Sequence, residues 1–138
     1  MKTTDELVNE IKETTDIEQY LKENENVLIN KKLRYFLADM LDGRDKSRTD
    51  VIERGGLTEY AHQIFNGRRC PNRDKIIRIA IGLELSLDET QKLMRISETG
   101  ELYSRDKRDS VIMFSIDKGL SGIETDLLLD RLGFCTLA

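Results

Sequence analysis

The feature that most constrains the fold is a repeat in the second half of the chain. Residues 73–94 read RDKIIRIAIGLELSLDETQKLM and residues 108–129 read RDSVIMFSIDKGLSGIETDLLL, with nine of 22 positions identical at an offset of 35. Both copies open on Arg-Asp, both carry Leu-Ser-x-x-Glu-Thr, and their isoleucines fall in step. Each copy predicts a helix, a short connection and a second helix. Ser86 with Glu89, and Ser121 with Glu124, have the spacing in which a serine and a glutamate satisfy each other's free amides at a helix start. The period suits helical-hairpin repeats, but two copies are too few for a solenoid. The expected arrangement has the second pair extending the first and burying its exposed apolar side. Common capping rules acting alone would also produce this likeness.

The rest of the chain reads as helix too. It holds one proline and no tryptophan in 138 residues, and it is rich in Leu, Ile, Glu and Lys, which favour helix over turn-dense β structure. Thr4 is placed to cap a first helix bearing Leu7, Val8 and Ile11, and Thr15 with Glu18 to open a second. Apolar spacing predicts a helix from Lys31 to Leu41, then short helices over 48–54 and 59–65. Gly55-Gly56 between them read as a turn requiring positive φ. Thr58 is the expected cap of the second of these, and Asn72 of a longer helix through Leu83.

Composition narrows the function classes. The longest apolar runs are about four residues, such as Val111 to Phe114, against about 20 for a bilayer span. Met1-Lys2 leads straight into Thr-Thr-Asp-Glu with no secretory pattern, so the expectation is a cytoplasmic protein with no membrane association. Cys70 and Cys135 stand 65 residues apart in no metal or redox pattern, which predicts free thiols. His62 is the only histidine, and no nucleotide, nucleophile-elbow or zinc-protease motif is present. The expectation is a protein that is not an enzyme, with no catalytic residues, no metal and no cofactor.

The formal net charge of −4 divides unevenly: residues 1–26 carry −5, residues 27–80 carry +5 and residues 81–138 carry −4. Basic density in one block is the footprint of a phosphate-binding face, although chance on helical surfaces also produces blocks of this size. Within the basic block, residues 47–75 read SRTDVIERGGLTEYAHQIFNGRRCPNRDK. Two short helices with a glycine turn precede an arginine-rich loop. At 100° per residue Ala61, Ile64 and Phe65 share one face, with Glu59, Gln63 and Asn66 opposite and Tyr60 and His62 on the flanks. Gln and Asn suit paired hydrogen bonds with adenine in the major groove, and Glu can accept from cytosine. Arg68, Arg69 and Arg73 follow, placed to neutralise phosphates.

This stretch resembles the Cro/repressor-type (lambda repressor-like) helix-turn-helix DNA-binding family. The residues that carry the resemblance are Val51, Ile52 and Gly55-Gly56-Leu57, then Ala61, Ile64 and Phe65, then Gly67-Arg68-Arg69-Cys70-Pro71. It continues through Ile76, Ile77 and Ala80 to Leu85-Ser86-Leu87, covering about residues 31–94. Phe65 stands where the family usually has Glu. The resemblance implies an all-α chain with a five-helix repressor-like domain over 30–98. An acidic helical arm (1–29) precedes it and a helical hairpin (99–138) packs on it.

It implies DNA binding and transcription regulation. Glu59, Tyr60, Gln63 and Asn66 would contact bases, and Arg48, Thr58, His62, Arg68, Arg69 and Arg73 phosphates. Double-stranded DNA is then the expected partner, and a homodimer is expected through the C-terminal helices, where Leu127 to Leu129 look exposed. A second reading reuses the fold as a protein-binding adaptor or inhibitor, phage- or mobile-element-borne, whose acidic surfaces grip a partner.

Overall fold

A computed structural model describes residues 2–24, 29–59, 61–66 and 71–138, with 29–32 by their backbone only. Among the described residues all regular structure is helical, in nine segments. They are α1 (Thr4–Glu13), α2 (Ile17–Glu23), α3 (Ile29–Asp42), α4 (Arg48–Gly55), α5 (Ala61–Phe65), α6 (Arg73–Leu83), α7 (Leu87–Ile96), α8 (Lys107–Asp117) and α9 (Gly122–Arg131). None of them is long and apolar enough to cross a membrane.

The helix starts follow capping chemistry, with two differences from the sequence reading. Ser86 and Ser121 form reciprocal boxes with Glu89 and Glu124, and Asn72 accepts from the Lys75 amide. The cap of α1 is Thr3, not Thr4, because only from position 3 does a glutamate (Glu6) fall three residues on. The cap of α2 is Asp16, not Thr15: its carboxylate reaches the amides of both Glu18 and Gln19, which satisfies two of the orphan donors at once. α4 is also boxed, by Ser47 and Asp50, a pairing the sequence reading passed over.

α6 is the axis of the molecule. Every residue from Ile76 to Leu83 is buried, Arg78 included. Its sequence looked amphipathic, yet α4, α7 and α9 all pack around it. Two glycines allow the closest approaches. A Cβ on Gly82 would sit 2.3 Å from the Val51 carbonyl oxygen of α4. A Cβ on Gly55 would sit 2.4 Å from the Arg78 carbonyl oxygen. Of the Gly55-Gly56 pair only Gly56 has positive φ (69°). Gly55 is required for contact, not for turning. On its other side the first residue of α9, Gly122, is as close: a Cβ there would meet the Gly55 oxygen at 2.2 Å. Backbones of α6, α4 and α9 thus touch in series.

The repeat is structural, not merely compositional. The α6–α7 and α8–α9 pairs match at the offset of 35 in backbone detail. Leu85 N–H donates to the Ala80 carbonyl, and Leu120 N–H to that of Ser115, both at 3.0 Å. Glu84 and Gly119 hold the left-handed turn after the first helix, and Glu98 and Gly133 the turn after the second. The hydroxyls of Thr90 and Thr125, both fully buried, donate to the Ser86 and Ser121 carbonyls at 2.8 Å. The opening Arg-Asp dyads pair crosswise. Arg73 grips Asp109 at 2.9 and 2.6 Å, while Arg108 grips Asp74 at 3.1 and 3.2 Å. Likeness from shared capping rules does not account for these matched turns and reciprocal pairs.

The C-terminal hairpin is fastened by charge as well as by Ile112, Ile116 and Leu129. Buried Arg78 donates to the carbonyls of Gly55 (2.9 Å) and Gly56 (3.1 Å) and to the Asp126 carboxylate. Asp126 in turn accepts from the Leu137 amide at 2.8 Å, which seats the end of the chain. Leu129 is fully buried. It therefore leaves the expected dimer surface, because on α9 it shares the inward face with Gly122 and Thr125.

Candidate functional site

The charge blocks have in part an internal explanation. Residues 27–80 hold twelve basic residues, and of the eight whose side chains are described, five bond to carboxylates of 81–138. Arg44 holds Glu89 through two contacts of 2.7 Å, Lys46 and Arg54 both hold Glu84, Arg73 holds Asp109 and Arg78 holds Asp126. Part of the basic middle and part of the acidic tail are two halves of one set of ion pairs.

These pairs tune the carboxylates. Burial pushes the Asp109 carboxyl up, but the Arg73 fork, the Tyr103 amide and the charges of Arg73 and Arg108 together hold it below its ordinary value. Glu89 is held down by the Ser86 amide first and by Arg44 next. Glu84 is held down by Lys46 against a smaller effect of burial, with Arg54 adding to the pull. The same bonding with Asp109 holds the Arg73 guanidinium firmly charged.

Arg73 is therefore removed from the expected phosphate contacts. Its donors are spent on Asp109 and on the carbonyls of Gly100 and Glu101. To reach a phosphate it would have to release the C-terminal hairpin.

The other expected contacts fall in two groups. Tyr60, Arg68 and Arg69 lie outside the described residues. Arg48, Thr58, Glu59, His62, Gln63 and Asn66 surround the α4–turn–α5 unit. Gly56, in the left-handed conformation, closes α4. The Thr58 and Glu59 carbonyls then accept from the Ala61 and His62 amides, which starts α5. Thr58 thus contributes its carbonyl to the helix start. α5 spans Ala61–Phe65, shorter at its start than the expected helix from residue 59.

Ala61, Ile64 and Phe65 are buried, so His62, Gln63 and Asn66 are left at or near the surface. His62 Nε2 lies 3.2 Å from the exposed Glu59 carboxylate. Arg48, at the first turn of α4, donates to Asn66 Oδ1 at 2.9 Å and stacks 5.4 Å from the Phe65 ring centre. Phe65 therefore serves as a core side chain whose face steadies Arg48. Beside it a groove is lined by Arg34, Tyr35, Ala38, Asp42, Arg48 and Phe65. Arg34 has no local sequence pattern that marks it for this site, because α3 is brought beside α5 by tertiary packing.

No family model matches the chain, and no curated protein or solved structure matches it either.

Proposed function

We propose that the chain is a DNA-binding protein, a transcriptional regulator, that sets the 58–66 segment in the major groove as a repressor-like helix-turn-helix unit does. One observation carries this reading. The outward polar side chains of α5 share a surface with the start of α4, and Arg48 there donates to Asn66 and pairs with no carboxylate among the described residues. Gln63 and Asn66 are the side chains suited to base edges, with Glu59 and Tyr60 as the further base contacts proposed. Phosphate contacts fall to Arg48, Thr58 and His62, joined by Arg68 and Arg69, which follow in the sequence.

The test is binding to random-sequence duplex DNA across a range of salt, with the bound sequences selected and read. Each phosphate contact contributes about 0.9 to the slope of log affinity against log salt. Arg68→Ala with Arg69→Ala should lower that slope by about two. Arg44→Ala should leave it unchanged, because Arg44 is held by Glu89. Gln63→Ala should relax the selected sequence more than it weakens binding. Absence of binding at low salt refutes the proposal.

A second reading, a protein-binding adaptor gripping its partner through acidic surfaces, has one observation in its favour. The acidic α1–α2 arm leaves Val8, Ile11, Ile17 and Leu21 about half exposed. Apolar side chains amid carboxylates suit a protein surface better than a phosphate backbone.

A further inference from the structure

We infer that the outer face of α9 is a self-association surface whose occupant is α9 of a second copy, packed antiparallel about a two-fold axis between Leu127 and Leu128. On a helical projection the inward face of α9 is centred on Gly122, Thr125 and Leu129, all buried. The opposite face is centred on Glu124, Leu127, Leu128 and Arg131. Leu127 is 66% exposed, Ile123 beside it is 63% exposed, and Leu132, the capping residue at the far edge of the face, is 50% exposed. Half-exposed Phe114 of α8 borders the same shallow groove. Large apolar side chains grouped in this way on one surface call for a partner.

The order of residues along the helix identifies the partner. In an antiparallel pair about that axis, Leu127 of one copy faces Leu128 of the other. Glu124 then faces Arg131, while Ile123 and Leu132, half a turn apart around the helix, lie at the two edges of the contact. At the centre of the contact leucine meets leucine, and the acidic position meets the basic one, each twice per pair. A two-fold interface must be complementary to itself, and this face is. The registry also places acid at the start of the helix and base at its end, where each favours its own helix dipole. α9 is only about 15 Å long, so the pair is expected to be in exchange with monomer rather than permanent. Association through this face leaves the α4–α5 surface outside the contact, so it stands with or without DNA.

Sedimentation equilibrium of the full chain tests it. The weight-average mass should rise from 15.9 kDa toward twice that value over about 1–100 μM. Leu127→Asp should abolish the rise. Arg131→Glu sets two pairs of carboxylates face to face and should weaken association about tenfold. Adding Glu124→Arg to that variant should restore it. This rescue separates pairing from misfolding, because the second change also removes the Glu124 cap and would compound a folding defect. Circular dichroism of each variant checks that the helices persist. A chain monomeric throughout the range overturns the inference, as does a dimer indifferent to both Leu127→Asp and Arg131→Glu. Dissociation by Ile11→Asp or Leu21→Asp on the arm, with no response at Arg131, also overturns it.

Discussion

Gly82→Ala is the substitution for which helix propensity and packing give opposite signs. Gly82 lies within α6, and replacing an interior helical glycine by alanine ordinarily stabilises by about 1 kcal/mol. Here the new Cβ would stand 2.3 Å from the Val51 carbonyl oxygen, 2.8 Å from Val51 Cγ1 and 3.0 Å from the Val51 carbonyl carbon. Ordinary contact begins near 3.4 Å, so α4 and α6 must part by about 1 Å at that point. The obstructing atoms are mostly backbone, and Val51 is fully buried, so no flexible side chain can yield. Overpacking of this kind costs about 1–3 kcal/mol. The gap opened on either side also forfeits a quarter to a half of the dispersion energy of the atoms lining it.

The net expectation is a loss of about 2 kcal/mol, or about 6–8 °C in Tm for a chain of this size. Urea unfolding followed by far-ultraviolet circular dichroism reads it directly. Gly43→Ala is the control: its Cβ would meet only the Asp39 carbonyl at 3.6 Å, and stability should stay within about 0.5 kcal/mol. A Gly82→Ala variant as stable as the parent would refute the claim that these backbones touch.

Two further outcomes are expected. Asp109 is held below its ordinary value in the folded state, so its contribution is complete above the unfolded carboxyl value, about pH 4, and is lost as pH falls through the folded one. Stability measured from pH 6 down to about pH 3 should fall less steeply in Asp109→Asn than in the parent; equal slopes would remove this carboxylate from the account. Glu98 holds a left-handed turn where its repeat counterpart is Gly133, so Glu98→Gly should stabilise by about 0.5–1 kcal/mol. Glu84→Gly, at the other such turn, should bring no gain, since Glu84 also pairs with Lys46 and Arg54; equal urea midpoints for the two variants would sink this reading.

The legible parts of the fold were those coded within a few residues. Ser86, Ser121 and Asn72 announced their helices because a cap and its partner lie three positions apart. The buried face of α5 followed from the spacing of Ala61, Ile64 and Phe65. The destinations of charges were illegible, because Arg73 and Asp109 are 36 residues apart and Arg78 and Asp126 are 48 apart. The block pattern therefore reads as a surface for an external anion, when part of it is internal neutralisation. Gly55 was read as part of a turn for the same reason: its local neighbours say nothing about α6 and α9 lying against it. In the candidate site, Gln63 and Asn66 could be placed outward from periodicity. The link between Asn66 and Arg48 could not, since it depends on how α4 and α5 are set against each other.

The series of bare backbone contacts from α6 through Gly55 to Gly122 has a mechanical consequence. Side chains between helices act as a compliant layer that absorbs small displacements by changing rotamer. Between the Gly55 carbonyl and the first residue of α9 there is no such layer, and the Val51 carbonyl meets Gly82 just as directly. A push on α9 is therefore delivered to the end of α4 nearly undamped. Arg48 rides at the other end of that same two-turn rod, so a load placed on the outer helix of the hairpin is felt, as a tilt, at the surface where Arg48 and Asn66 meet.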